Sequence, residues 1–289
     1  MENYTAILVI MAVMIAASGL ADKIKLPSPV LLILIGMGIG FIPTMPEVII
    51  DPEIVMLLFL PPLLYDAAFK ISFKDFRTNI NTISTLAIGL VFLTTAAIAV
   101  VAYYLIPGMS WPLAFVLGAI LSATDAVAAI GTTKGLGLSH KITTILEGES
   151  LVNDASALVA YRLAVAAVTG AAFVWWKGAL NFLVVFGGGF LVGRIISLML
   201  AFAVRYFRNN DMVVISLTLL TPFVTYLVAE HFSVSGVIAV VVLGLGMAML
   251  SREKFPEDLK RQSENFWDVN IFLLNGLIFI LIGLQFPIV

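Results

Sequence analysis

The sequence predicts an all-α polytopic membrane protein with about ten transmembrane helices, and three observations carry that expectation. Only 12% of the 289 residues are charged and 61% are hydrophobic, whereas an ordinary soluble domain has roughly 25% charged side chains. Apolar runs of about 20 residues, long enough to cross a hydrocarbon core near 30 Å thick, recur along nearly the whole chain. Basic residues, finally, gather in alternate connections between those runs. The runs are continuous and rich in Leu, Ile, Val and Ala, so helices are expected rather than the alternating segments of a barrel.

Cutting at Pro, Gly and charge clusters places spans at about 4–21, 29–46, 52–69, 79–106, 112–133, 142–169, 178–204, 212–230, 235–251 and 266–286. The first follows Glu2 with no basic n-region and reads as a retained helix. Lys23 and Lys25 fall in the first connection, Lys70, Lys74 and Arg77 in the third, and Lys134 and Lys141 in the fifth. Arg205 and Arg208 mark the seventh, and Arg252, Lys254, Lys260 and Arg261 the ninth. The even connections are neutral or acidic, as at Glu47, Asp51 and Glu53, with Lys177 their one basic residue. The positive-inside rule then puts the odd connections in the cytoplasm and the N-terminus outside. Ten spans leave the C-terminus outside as well. One transmembrane domain over 1–289 is expected, with "REKFPEDLKRQSE" (Arg252 to Glu264) as an amphipathic cytoplasmic link. Two stretches look breakable: "LSATDAVAAIGTT" (Leu121 to Thr133) and "FGGGFLVG" (Phe186 to Gly193), the latter having close helix packing as its ordinary reading.

"LEGESLVNDASALVAYRLA" (Leu146 to Ala164) sets charge inside apolar helix. A carboxylate at mid-bilayer costs about 2.5–3.5 kcal/mol on insertion scales, so intramembrane acids mark ion or proton paths. On the sixth span Ser150 and Asp154 share a face, as do Glu149 and Asn153, while Glu149 and Asp154 lie about 140° apart on an ideal helix. Asp125 and Thr124 sit on the fifth span, a short link away. Carboxylate, hydroxyl and carbonyl oxygens suit a small hard cation, and no imidazole or thiolate is near to favour a transition metal. If apolar side chains such as Val152 and Leu158 flank Asp154, its ionised form is expected to be disfavoured, and a bound cation to restore it. Cation and proton then compete for the same oxygens, which with alternating exposure is the minimum machinery of a cation/proton exchanger.

Other polar residues carry weaker signals. Glu147 fits the first turn of a helix, where negative charge is favoured. Arg162, eight residues beyond Asp154, reads as a structural counter-charge to an acid on a neighbouring helix or to backbone carbonyls, with functional tuning as the alternative. Asp66, in "LPPLLYDAAF" behind two prolines, suits capping or packing as well as transport. His140 and His231 read as solvated loop histidines, Trp175 and Trp176 as interfacial anchors, and Asn275 as an interhelical hydrogen-bonding group. The chain has no cysteine, which removes disulfides and thiolate chemistry. A net charge of −2 gives no footprint for nucleic acid. Neither a hydrolytic triad, a zinc signature nor a nucleotide loop is visible, so a transporter without a cofactor is expected rather than an enzyme.

"TDAVAA" (Thr124 to Ala129), "EGESLVNDASALV" (Glu147 to Val159), "FLPPLLYDAA" (Phe59 to Ala68) and "NGLIFILIGLQF" (Asn275 to Phe286) closely resemble sodium/proton exchangers of the monovalent cation:proton antiporter-1 family. The resemblance implies an antiporter of a bacterial cytoplasmic membrane that exchanges Na+, with Li+ or K+ as alternatives, for H+. Asp154 would be the ion- and proton-carrying carboxylate and Asn153 its partner. Glu149 and Ser150 would complete the Na+ site, and Asp125 with Thr124 would belong to an unwound crossing region. Asn before the key Asp implies electroneutral exchange. The implied fold is a homodimer of thirteen-helix protomers built from inverted repeats, each with a core domain, here about 79–169, moving against a dimerisation domain. Against that plan the chain is expected to lack the last three helices, including a second unwound helix and a membrane arginine. A transport-inactive scaffold able to associate with a full-length antiporter is therefore the alternative function.

Overall fold

The computed structural model describes residues 2–24, 26–41, 52–124, 139–169 and 175–286. These residues form eleven helices: α1 (Glu2–Ile24), α2 (Ser28–Gly40), α3 (Pro52–Lys70), α4 (Phe73–Thr78), α5 (Ile80–Leu105), α6 (Trp111–Ser122), α7 (His140–Val168), α8 (Trp175–Tyr206), α9 (Asp211–His231), α10 (Gly236–Lys254) and α11 (Glu257–Gln285). Five stretches, in α5, α7, α8, α9 and α11, are long and apolar enough to cross a membrane. Shorter apolar helices cover Leu8–Ala21, Ser28–Gly40, Trp111–Ser122 and Gly236–Arg252. Large apolar side chains such as Leu93, Leu191 and Phe202 lie exposed on their outer faces. Water would not hold so much uncovered hydrocarbon, whereas lipid would.

The helices follow the predicted spans with local corrections. The last one starts at Glu257 rather than near 266, because Glu257 and Asp258 favour its N-terminal dipole and Lys260 pairs with Glu257 one turn on. Helix α3 runs through Pro61 and Pro62. Helix α6 ends at Ser122, where Ala123 turns extended (φ −72, ψ 125), short of the predicted 133. Ser139, Asn210 and Ser235 cap α7, α9 and α10, each side-chain oxygen accepting a backbone N–H three residues on.

The chain divides into two compact units, Met1–Leu63 with Glu257–Val289, and Leu64–Pro256. In the first, α1, α2 and α11 bury Ile10, Met14, Ala17, Leu32, Ile280 and Leu284. There α2 and α11 touch backbone to backbone: a methyl group on Gly36 would strike the Ile280 carbonyl, and one on Gly283 the Ile33 carbonyl. In the second unit α5 contains a π-helical turn at Thr85–Leu90. The buried positions Ile83, Ala87, Val91, Thr95 and Ala99 nevertheless keep one face toward its neighbours. Helix α6 lies against that face, with Gly118 on the Thr95 backbone and Ala114 beside Ala99 and Ala102. The glycine run of α8 lies in unbroken helix and packs on α10, Gly189 against Ser235 and Gly193 against Ala239.

Candidate functional site

The polar residues of α7 meet the end of α6. Helix α7 is drawn close at this level because Gly148 leaves room for the side chains of Ile83 and Phe76. One residue further, Glu149 is buried, and Asn153, one turn on, is fully buried at 0% exposure. The Asn153 amide donates to Glu149 Oε1 at 3.0 Å, to Thr124 Oγ1 at 2.6 Å and to the Thr124 carbonyl at 3.2 Å. Two amide hydrogens serve three acceptors, so one is shared. Thr124 Oγ1 donates in turn to Glu149 Oε1 at 3.0 Å, and Ser150 Oγ donates to the Thr124 carbonyl at 3.3 Å. That carbonyl is available because α6 has already stopped at Ser122. Two donors thus converge on one Glu149 oxygen.

Holding its amide hydrogens toward Glu149 and Thr124 leaves Asn153 Oδ1 buried without a hydrogen-bond partner among the described residues. An orphaned buried acceptor costs about 1–3 kcal/mol. A small cation would satisfy it. The surrounding donors are a carboxylate, an amide oxygen, hydroxyls and a carbonyl near the negative end of the α6 dipole, a set suited to a hard cation. Among the described residues no trio of His, Cys, Asp or Glu side chains converges in the manner of a transition-metal site.

The structure thus brings together four of the expected site residues, Thr124, Glu149, Ser150 and Asn153. Asp154 follows on the same helix and is partly exposed. Asp125 lies outside the described residues, as does the expected unwound crossing around it. Asp66 is buried on α3, where its Oδ2 accepts from Lys70 Nζ at 2.8 Å. Arg162 donates to Glu230 Oε1 on α9 at 2.9 Å. The sequence reading missed two parts of this arrangement: the Thr124 backbone carbonyl as a common acceptor, and Glu230 as the acid facing Arg162. A backbone atom leaves no sequence signal, and Glu230 is separated from Arg162 by 68 positions.

Bilayer-length apolar helices and a buried oxygen cluster where a helix stops are features of an integral membrane protein. The family described as "Sodium/hydrogen exchanger, transmembrane" matches residues 8–289. The chain belongs to that family. It is 36% identical to the "Sodium, potassium, lithium and rubidium/H(+) antiporter" of Bacillus pumilus, over 99% of this chain and 44% of the relative. It is 32% identical to the "Na(+)/H(+) antiporter ApNhaP" of Aphanothece halophytica, over 99% of this chain and 56% of that protein. The chain therefore spans about half the length of these curated relatives. Among solved structures, the sodium proton antiporter MjNhaP1 of Methanocaldococcus jannaschii at pH 8 superposes with a TM-score of 0.77. That match has 22% identity and covers 98% of this chain and 71% of the other, so it shows the fold.

Proposed function

We propose that the chain carries the cation-binding part of a secondary antiporter that exchanges Na+ for H+ across a bacterial cytoplasmic membrane. The observation that supports it most is the Thr124–Glu149–Asn153 cluster, with its orphaned Asn153 oxygen, beside Asp154. In this reading Asp154 takes either the cation or a proton. Glu149 and Ser150 complete the cation site, Asn153 and Thr124 supply further neutral oxygens, and the bond from the Asn153 amide N–H to Glu149 leaves the amide oxygen as an acceptor for the cation. Asp125 completes the polar region, and Arg162 and Asp66 have structural or tuning roles. Since one carboxylate carries one charge of either kind, exchange is electroneutral. Protons on the side from which Na+ enters raise the Na+ concentration needed for half-maximal flux without changing the maximal rate at saturating Na+. Li+ and K+ stay among the candidate cations, supported by the name of the Bacillus pumilus relative.

The finer architecture we infer has ten spans arranged in inverted repeats, a moving core over about 79–169, an N-terminus outside and a homodimer as the assembled form. The test is Na+-driven proton flux in proteoliposomes containing a trapped pH dye. The wild-type chain should collapse an imposed proton gradient when Na+ is added, at a rate unaffected by an imposed membrane potential. Asp154→Asn should abolish that flux while the protein remains folded; equal rates in the two proteins would remove Asp154 from its role. Absent flux together with stable association with a longer antiporter chain would favour the non-transporting scaffold.

A further inference from the structure

We propose that the Arg162–Glu230 ion pair is a clasp between the helix that carries the cation site and the α8–α10 block, closed in the conformation seen here and opened in each transport cycle. The proposal rests on the exchange reading above. Within the second unit, two sets of helices are internally locked. Helices α5, α6 and α7 are tied by the Gly118–Thr95 backbone contact and by the hydrogen bonds of Thr124. Helices α8 and α10 meet at Gly189 and Gly193, where even a methyl group would strike backbone, and Tyr226 of α9 packs on Gly236 of α10. Side chains cannot slip past one another at contacts this close.

The seam between the two sets is built differently. A partly open apolar pocket of about 270 Å³ lies between Phe76 of α4, Ser84 of α5 and Leu151 and Ala155 of α7 on one side and Phe190 of α8 and Val241 of α10 on the other, although α7 and α10 touch elsewhere. Surfaces with a void between them are not interdigitated, and they resist relative displacement less than a packed core does. Toward the C-terminal end of α7, Arg162 bridges to Glu230 at 2.9 Å. The acid sits on a fixed support: Ser233 N–H donates to the Glu230 carbonyl at 2.9 Å, and Val234 N–H to the Ala229 carbonyl at 3.0 Å. Ser233 takes a left-handed conformation, φ 56, at this turn. The long arginine side chain is therefore the adaptable arm. Its side chain is 44% exposed and that of Glu230 32%. A half-exposed pair biases an equilibrium by no more than about fivefold, a strength that can hold one conformation and still release within a cycle.

The chain contains no cysteine, so thiols can be placed without background. The doubly substituted protein R162C/E230C, reconstituted in proteoliposomes, is joined with a reducible bifunctional thiosulfonate reagent, and Na+-driven proton flux is read before and after linking. Linking should reduce flux at least about tenfold, with full recovery on reduction, because the opened state is no longer reachable. Each single cysteine variant treated identically should stay within about fivefold of its untreated rate. In parallel, R162E should slow exchange and the swap R162E/E230R should restore it. A linked protein that exchanges at its unlinked rate overturns the clasp and leaves the exchange reading standing. A wild-type chain with no Na+-coupled proton flux removes the exchange reading, and the clasp falls with it.

Discussion

The meeting of α6 with α7 and the meeting of α2 with α11 are both close helix contacts in an apolar protein, yet they are held by opposite means. At Gly36 and Gly283 nothing but backbone touches backbone, and every group there is satisfied within its own helix. At Thr124, Glu149 and Asn153 the contact is a set of hydrogen bonds that ends in one oxygen without a partner among the described residues. The first arrangement has nothing left to bind. The second is incomplete by one electrophile, and that incompleteness separates a site from a seam.

Substitutions can break or sharpen this contrast. The largest loss of stability is expected for Gly36→Leu, because the added side chain meets the Ile280 backbone, which cannot swing aside. A cost of about 3 kcal/mol or more should appear as a lowered thermal midpoint in detergent, while flux per folded molecule is unchanged. If Gly36→Leu unfolds like the wild type, the seam is looser than described. Asn153→Ala should cost less stability, about 1–3 kcal/mol, since Glu149 loses a buried donor. Its signature is a raised Na+ requirement, and a variant with wild-type Na+ dependence would show that the orphaned oxygen is irrelevant to the cation. Thr124→Val removes one hydroxyl and keeps the carbonyl, so about 1 kcal/mol and a smaller rise in Na+ requirement are expected, with Thr124→Ser close to wild type. Smallest of all is Lys260→Gln, which breaks the Lys260–Glu257 pair outside both regions. It should change stability by no more than about 0.5 kcal/mol and leave flux intact; a loss larger than that of Gly36→Leu or Asn153→Ala would show that surface charge matters more here than either buried contact.

Much of the helical layout could be read in advance because apolar length and its interruptions are written residue by residue. The spans expected at 52–69 and 212–230 are the helices Pro52–Lys70 and Asp211–His231. The shift at Glu257 shows where that reading fails: a charge cluster reads as the end of a helix, although charged turns continue a helix beyond the bilayer when they pair at i and i+3. The short α4 and the π-helical turn were not visible. Nothing in "TLAIGL" distinguishes a wide turn from a regular one; packing against other helices decides it. For the site, Glu149, Ser150 and Asn153 were identified by polarity inside an apolar run. Thr124 on the neighbouring span was identified with them; its main-chain carbonyl as a common acceptor was not, since that atom is exposed by the end of a helix rather than by a residue type. The fifth span shows the opposite case: the small and hydroxyl residues of "LSATDAVAAIGTT" mark a breakable stretch, and α6 ends at Ser122 within it.

The π-helical turn of α5 has a geometric consequence of its own. Ile83, against Gly148 of α7, and Thr95, against Gly118 of α6, lie on either side of it. In a regular helix residues twelve positions apart point about 120° away from each other, but a turn that absorbs one extra residue reduces the offset to about 20°. The wide turn therefore acts as a phase correction, bringing the two halves of α5 back onto one face. Deleting a single residue within Thr85–Leu90 would shorten the chain by only one peptide unit, yet it would rotate the Thr95 half away from α6 and with it the segment that ends at Thr124.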